Sequence, residues 1–149
     1  MELTNEFNLK EIERSAKDYL SKLDLQKMID DSSDKRDKIM FIEGPPTLNG
    51  EPHAGHLRGR VFKDLWYRFN TLNLKNVIFN AGWDTQGLPV ELQAEKELGI
   101  TNGKSGITTQ QQIENLVAQC KKIISKFHQK WIDVDKKLGM SLNQENAYW

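Results

Sequence analysis

Apolar residues recur at helical spacing along most of this chain. Leu9, Ile12, Ala16, Tyr19, Leu20 and Leu23 stand three and four apart, which predicts a surface helix with one buried stripe. The polar, turn-rich DSSDKRDK at 31–38 then serves as a link. IMFIE at 39–43 is a short apolar run stopped by Gly-Pro-Pro, the pattern of a buried strand. Leu57, Val61, Leu65 and Phe69 follow at successive fours, with Phe62 and Trp66 widening the same face, and predict a helix of about four turns. NVIFN at 76–80 reads as a second strand, closed by AGWDTQG. Strand, loop, helix and strand make one βαβ unit, which implies parallel pairing and a right-handed crossover.

Pro89 suits the first position of another helix, VELQAEKELG, that stops at Gly99. ITNGKSGITT is a polar loop. Ile113, Leu116, Val117, Cys120, Ile123, Ile124, Phe127, Trp131, Val134 and Leu138 then hold three-four spacing over about seven turns. Lys122, Lys126 and Lys130 share the opposite face, either a solvated flank or a nucleic-acid contact. Two strands are too few for a stable sheet, so either further strands escape the pattern or the sheet is completed elsewhere.

Composition narrows the class without naming a partner. The chain has 149 residues, 38% of them hydrophobic and 28% charged, with 21 basic and 21 acidic side chains. That is enough for one domain with a core, and the balance leaves no global field to attract nucleic acid. Cys120 is alone, which excludes a disulfide framework and a cysteine-built zinc site within the chain. A charged N-terminus without a signal-peptide core, and no apolar run of membrane-spanning length, lead to the expectation of a soluble, cytoplasmic protein in a reducing compartment.

The chemistry is concentrated in two loops, each directly after a predicted strand. In GPPTLNGEPHAGHLRGR, His53 and His56 lie three apart where a helix begins. Free amides and the helix dipole favour an anion there, imidazoles can donate to phosphate oxygens, and Gly55 permits close approach. A metal site lacks a third ligand, since His128 is far along another helix. In NAGWDTQGLPVE, Asp84 between Trp83 and Gln86 suits a ligand ammonium, with Trp83 and Pro45–Pro46 as apolar surroundings. Alternatively Asp84 caps a turn and Trp83 packs in the core. Both loops leave the same edge of the βαβ unit, where open α/β sheets bind ligands.

Taken together, FIEGPPTLNGEPHAGHLRGRVFKDLWYRFN and VIFNAGWDTQGLPVELQAEKELG resemble the class I aminoacyl-tRNA synthetases, closest to the isoleucyl-tRNA synthetases. His53-Ala54-Gly55-His56 stands where that family has its His-Ile-Gly-His signature, and GWDTxGLPxE at 82–91 separates the isoleucine enzymes from their relatives. The resemblance implies a Rossmann-like, nucleotidylyltransferase-type α/β core with flanking helices. It further implies that residues 1–37 form an N-terminal helical segment and 38–149 the first half of the catalytic domain, ending before an editing insertion. His53 and His56 would be the catalytic pair, binding ATP with Gly55, Pro45 and Thr47. Asp84, Pro46, Trp83, Gln86 and Glu43 would border isoleucine. ATP with Mg2+ is the implied cofactor, with isoleucine and tRNA(Ile) as partners of the full-length ligase.

The chain departs from the family's pattern at Gln86, where a histidine is usual, and at Asn143–Gln144 in place of Asp-Trp. The family's second signature, Lys-Met-Ser-Lys-Ser, does not occur, and GKSG at 103–106 is no substitute. The chain therefore reads as an N-terminal catalytic fragment, weak or inactive alone, that self-associates through an unpaired sheet edge. Two other readings stand beside it: an inert tRNA- or protein-binding relative, and a small-molecule nucleotidylyltransferase sharing the H-x-G-H device.

Overall fold

The computed structural model describes residues 8–24, 27–28, 35–100 and 107–149. The start of the predicted link, 31–34, and most of the polar loop, 101–106 with its GKSG, lie outside the described residues. In chain order the elements are α1 (Leu9–Leu20), β1 (Lys38–Phe41), α2 (Ala54–Leu72), β2 (Asn76–Gly82), α3 (Leu88–Glu97), α4 (Gln110–Leu138) and β3 (Asn143–Tyr148). They form an α/β fold around a parallel sheet of order β1-β2-β3.

The expected βαβ unit is present: β1 pairs parallel to β2 from Lys38–Asn76 through Phe41–Phe79. β3 adds a third parallel strand that the pattern of SLNQENAYW did not announce. Its side chains are polar and do not alternate in burial. The strand exists because β2 offers it an edge and because Leu142 and Ala147 reach the core. Its pairing is irregular, since Asn80 meets Asn143 and Gly82 meets Tyr148, so two steps along β2 match five along β3.

Val77, Phe79 and Ala81 turn to one face of β2 and are buried. They join Tyr67 of α2, Val90 and Ala94 of α3, and Ile123, Phe127 and Trp131 of α4 in one core. The four-residue spacing of the α4 residues is the buried part of the predicted stripe; Ile113, Val117 and Leu138 remain exposed. α3 begins with Pro89 in its first turn, as its sequence predicts.

Two predicted stripes are not buried. α1 buries no residue, so its apolar side chains meet no core among the described residues. α2 faces the opposite way from the one its spacing predicts: Val61, Phe62, Leu65 and Phe69 are exposed, Phe69 at 64% and the neighbouring Leu72 at 81%. The face turned inward instead carries Arg60 and Tyr67, both buried, with Trp66 packed 5.2 Å from Phe41. Charged and polar partners set that rotation. Arg60 and Lys63 pair with Glu43, the amide of Ser141 donates to Asp64 at 2.8 Å, and Arg68 donates to the Gly139 carbonyl. A helix apolar on its outside and ion-paired on its inside has two faces that want partners.

Candidate functional site

The two loops leave the C-terminal ends of adjacent parallel strands, β1 and β2, and are tied to one another. Thr47 and Asp84 form a parallel bridge: the amide of Leu48 donates to the Asp84 carbonyl at 3.0 Å, and the amide of Asp84 to the Pro46 carbonyl at 3.1 Å. The Thr47 hydroxyl donates to Asp84 Oδ2 at 2.6 Å, and the amide of Gln86 reaches Oδ1 at 3.3 Å. Asp84 is thus held by its own loop and by the Gly-Pro-Pro loop. A carboxylate oxygen has more than one acceptor site, so room for an ammonium remains after these bonds.

His53 is the N-cap of α2, and the two histidines cap the helix reciprocally. The Gly55 amide donates to His53 Nδ1 at 3.1 Å, and the His53 amide donates to His56 Nδ1 at 3.3 Å. The rings stack with centroids 3.8 Å apart. A nitrogen that accepts carries no proton, so each neutral ring has its hydrogen on Nε2. The caps leave two Nε2–H donors for a ligand. Gly55 has a local reason as well: a β-carbon there would lie 3.0 Å from the His53 ring and push the cap aside. Burial, with His53 and then Arg60, lowers the pKa of His56 below the usual histidine value. All three causes disfavour the protonated form of the ring.

Pro46, Gly55 and His56 share a small cavity, about 210 Å3, with Glu43, Gly59, Arg60, Lys63 and Trp131. Glu43 is only 3% exposed, and its carboxylate faces Arg60 and Lys63 rather than open solvent. Trp83 is 1% exposed; its ring meets His128 edge-on at 5.0 Å and Trp131 at 6.2 Å. Pro45 is exposed. Thr47 turns its hydroxyl to Asp84, joining the loop expected for ATP to the one expected for the amino acid. Gln86 lines a separate, larger groove of about 840 Å3, mostly apolar, between Glu91 on α3, Ile113, Val117 and Cys120 on α4, and Trp149.

Residues 18–149 match the family described as tRNA synthetases class I (I, L, M and V). The chain belongs to this family. Among curated class I synthetases, it is 42% identical over 136 residues to the isoleucine–tRNA ligase of Clostridium novyi (strain NT). That alignment covers 91% of this chain and 13% of the relative. It is 41% identical over 112 residues to the isoleucine–tRNA ligase of Pyrobaculum aerophilum, covering 74% of this chain and 11% of that ligase. The chain thus spans about an eighth of the length of such relatives. Among solved class I structures, the LeuRS of Agrobacterium radiobacter K84 agnB2, in a ternary complex with tRNA and LeuAMS, superposes with a TM-score of 0.67 at 22% identity. The match covers 91% of this chain and 15% of that one and carries the fold, a Rossmann-like class I synthetase core.

Several residues packed around these two loops were not singled out by the sequence: Arg60, Lys63, Asp135 and Tyr148. Signals for them exist. Arg60 and Lys63 are four and seven residues beyond His56, hence on its helical face. Asp135 continues the Ile123, Phe127, Trp131 stripe, and a charge on an apolar stripe marks a buried ionic contact. Burial raises the Asp135 pKa, with Arg60 opposing it. Tyr148 lies across Gly82, where a β-carbon would meet its ring at 2.4 Å, and its hydroxyl donates to the Glu43 carbonyl. No pattern in NQENAYW could have announced that pairing.

Proposed function

We propose that this chain forms the phosphate- and amino-acid-binding half of an isoleucine–tRNA ligase site, the first half of a Rossmann-like catalytic domain. The observation that carries the reading is the bonded pair of strand-end loops. One carries two histidines whose Nδ1 atoms accept the caps and whose Nε2–H groups remain as donors, and the other a held carboxylate, in a chain of this family. Asp84 receives the ammonium of isoleucine, beside Pro46. His53 and His56 donate to phosphate oxygens as charge develops on them. The isoleucine carboxylate oxygen attacks the α-phosphorus of ATP in line; its new O–P bond replaces the bond to pyrophosphate, which leaves with that electron pair. No protein nucleophile is needed, because positioning and charge stabilisation supply the catalysis. The aminoacyl group then passes to a terminal ribose hydroxyl of tRNA(Ile) in the full-length enzyme, releasing AMP. Mg2+ travels with the nucleotide and needs few protein ligands. Among the described residues no three His, Cys, Asp or Glu side chains are grouped to hold it, and no step is assigned to it.

Isoleucine-dependent ATP–pyrophosphate exchange tests the reading. His56→Ala removes one donor and is expected to lower exchange by about 10²–10³-fold. Exchange that is equal in the variant would overturn the histidine role. ATP binding without any amino-acid-stimulated exchange would favour either the half-site reading, with the chain inactive alone, or an inert relative, which Gln86 supports. The exposed stripe of α2 also supports self-association of the isolated chain.

A further inference from the structure

Arg60 stands one helical turn beyond His56 and is 3% exposed. Its Nε lies 3.3 Å from Asp135 on α4, and Nη1 lies 3.7 Å from Glu43 at the end of β1. Its guanidinium carbon is 5.4 Å from the ring centre of Trp83 and 5.1 Å from that of Trp131. Trp131 in turn packs 5.0 Å from the His56 ring, and Trp83 is the residue before Asp84. One side chain therefore touches the strand end that leads into the Gly-Pro-Pro loop, the tryptophan that leads into the Asp84 loop, and the helix behind both. Only a planar, always-charged fork can lie against two indoles while its edge meets two carboxylates. Burying such a group is costly unless it is paired, so its retention here calls for a role.

We propose that Arg60 is a positioning residue: lying against Trp83 and Trp131 and paired with Glu43 and Asp135, it locks the histidine end of α2 to the Asp84 loop. This rests on the reading that these loops are two parts of one adenylation site. Lysine at this place keeps the charge and loses the fork, so a lysine variant separates charge from geometry.

The test is made on the 149-residue chain with Arg60→Met/Asp135→Asn, which removes one charge of each sign and keeps both side-chain volumes close. Imidazole ¹⁵N spectra report the tautomer and titration midpoint of His56. The charged or titratable groups around that ring are His53 and Arg60 on α2, Lys63 one turn on, Glu43 from the β1 loop, and Asp135 behind Arg60. The expected result is a folded variant whose His56 loses its single Nε2–H form, with its midpoint moved upward as the Arg60 repulsion disappears. Exchange is expected to fall by about a hundredfold, the scale of a displacement of about 1 Å. A folded variant with an unaltered His56 tautomer and midpoint overturns the proposal. Should the double variant not fold, Arg60→Lys decides: a mixed His56 tautomer supports the lock, and an unaltered one overturns it. The imidazole signals need neither ATP nor isoleucine. Calorimetry of the unaltered chain with ATP and with isoleucine tests the adenylation reading apart from the lock: a chain that binds neither overturns that reading and leaves the Arg60 lock to stand or fall on the spectra.

Discussion

The two faces of α2 reverse the usual order of a surface helix. Outward, it presents Val61, Phe62, Leu65, Phe69 and Leu72 to solvent; inward, it buries Arg60 among carboxylates and indoles. On the inner face charges meet opposite charges and aromatic residues meet the core, although Arg60 Nη1 and Nη2, Glu43 Oε2 and Asp135 Oδ1 are buried without a hydrogen bond. The outer face is a row of apolar surface of the kind that marks an interaction site. α2 is therefore a connector: it is fixed inward by a few specific polar contacts and left ready for a non-directional contact outward.

Substitution on either face can undo this contrast. Arg60→Met leaves Asp135 buried without its cation and Glu43 with Lys63 alone, and is expected to cost about 3–5 kcal/mol in denaturant unfolding. A loss under about 1 kcal/mol, the scale of an exposed ion pair, would mean that the inner face is less committed than its geometry implies. Tyr148→Phe removes one hydrogen bond to the Glu43 carbonyl and is expected to cost about 1 kcal/mol by the same measurement.

A smaller effect comes from pH. The folded pKa of His56 is lowered, so the unfolded chain takes up the proton first as pH falls. This contribution is fully present above the ordinary histidine value, about 6.5, and is lost as pH falls through the lower folded value. His56→Gln keeps an acceptor at the capping-box position without titrating, so its stability profile is expected to be flatter between about pH 5 and pH 7, the histidine range. Equal slopes in the two proteins would count against the cap. On the outer face, Leu65→Glu/Phe69→Lys is expected to change unfolding stability by no more than about 0.5 kcal/mol. The same pair should shift the chain from associated to monomeric in size-exclusion chromatography. A large loss of stability there would mean that the outer face already packs within the chain.

Much of the scaffold was legible. The short apolar runs at 39–43 and 76–80 announced β1 (Lys38–Phe41) and β2 (Asn76–Gly82), and three-four spacing announced the helices, with Pro89 marking a helix start; β1, expected to be buried, is an edge strand with Met40 exposed. The placement of His53, Gly55, His56 and Asp84 in two strand-end loops was legible too, because each loop is a run of consecutive residues after a strand. β3 was not legible, since an edge supplied by β2 forms it. Nor was the facing of α2: Val61, Leu65 and Phe69 keep the spacing of a buried stripe, while Glu43, Asp135, Gly139 and Ser141, brought from the loop after β1, from α4 and from the turn before β3, hold the helix the other way.

The sequence by itself determined most of the helices and two of the strands, the family, and the placement of two histidines and an aspartate in strand-end loops, because periodicity and short motifs are properties of neighbours along the chain. Tertiary structure alone decided that Thr47 belongs to Asp84 and that Arg60 meets Glu43 and Asp135 beside Trp83 and Trp131. Those contacts span from 17 to 75 positions of sequence, as Glu43 to Arg60 and Arg60 to Asp135 illustrate. They depend on rotamers, burial and the pairing of charges, which are settled only when separate elements close on a common core.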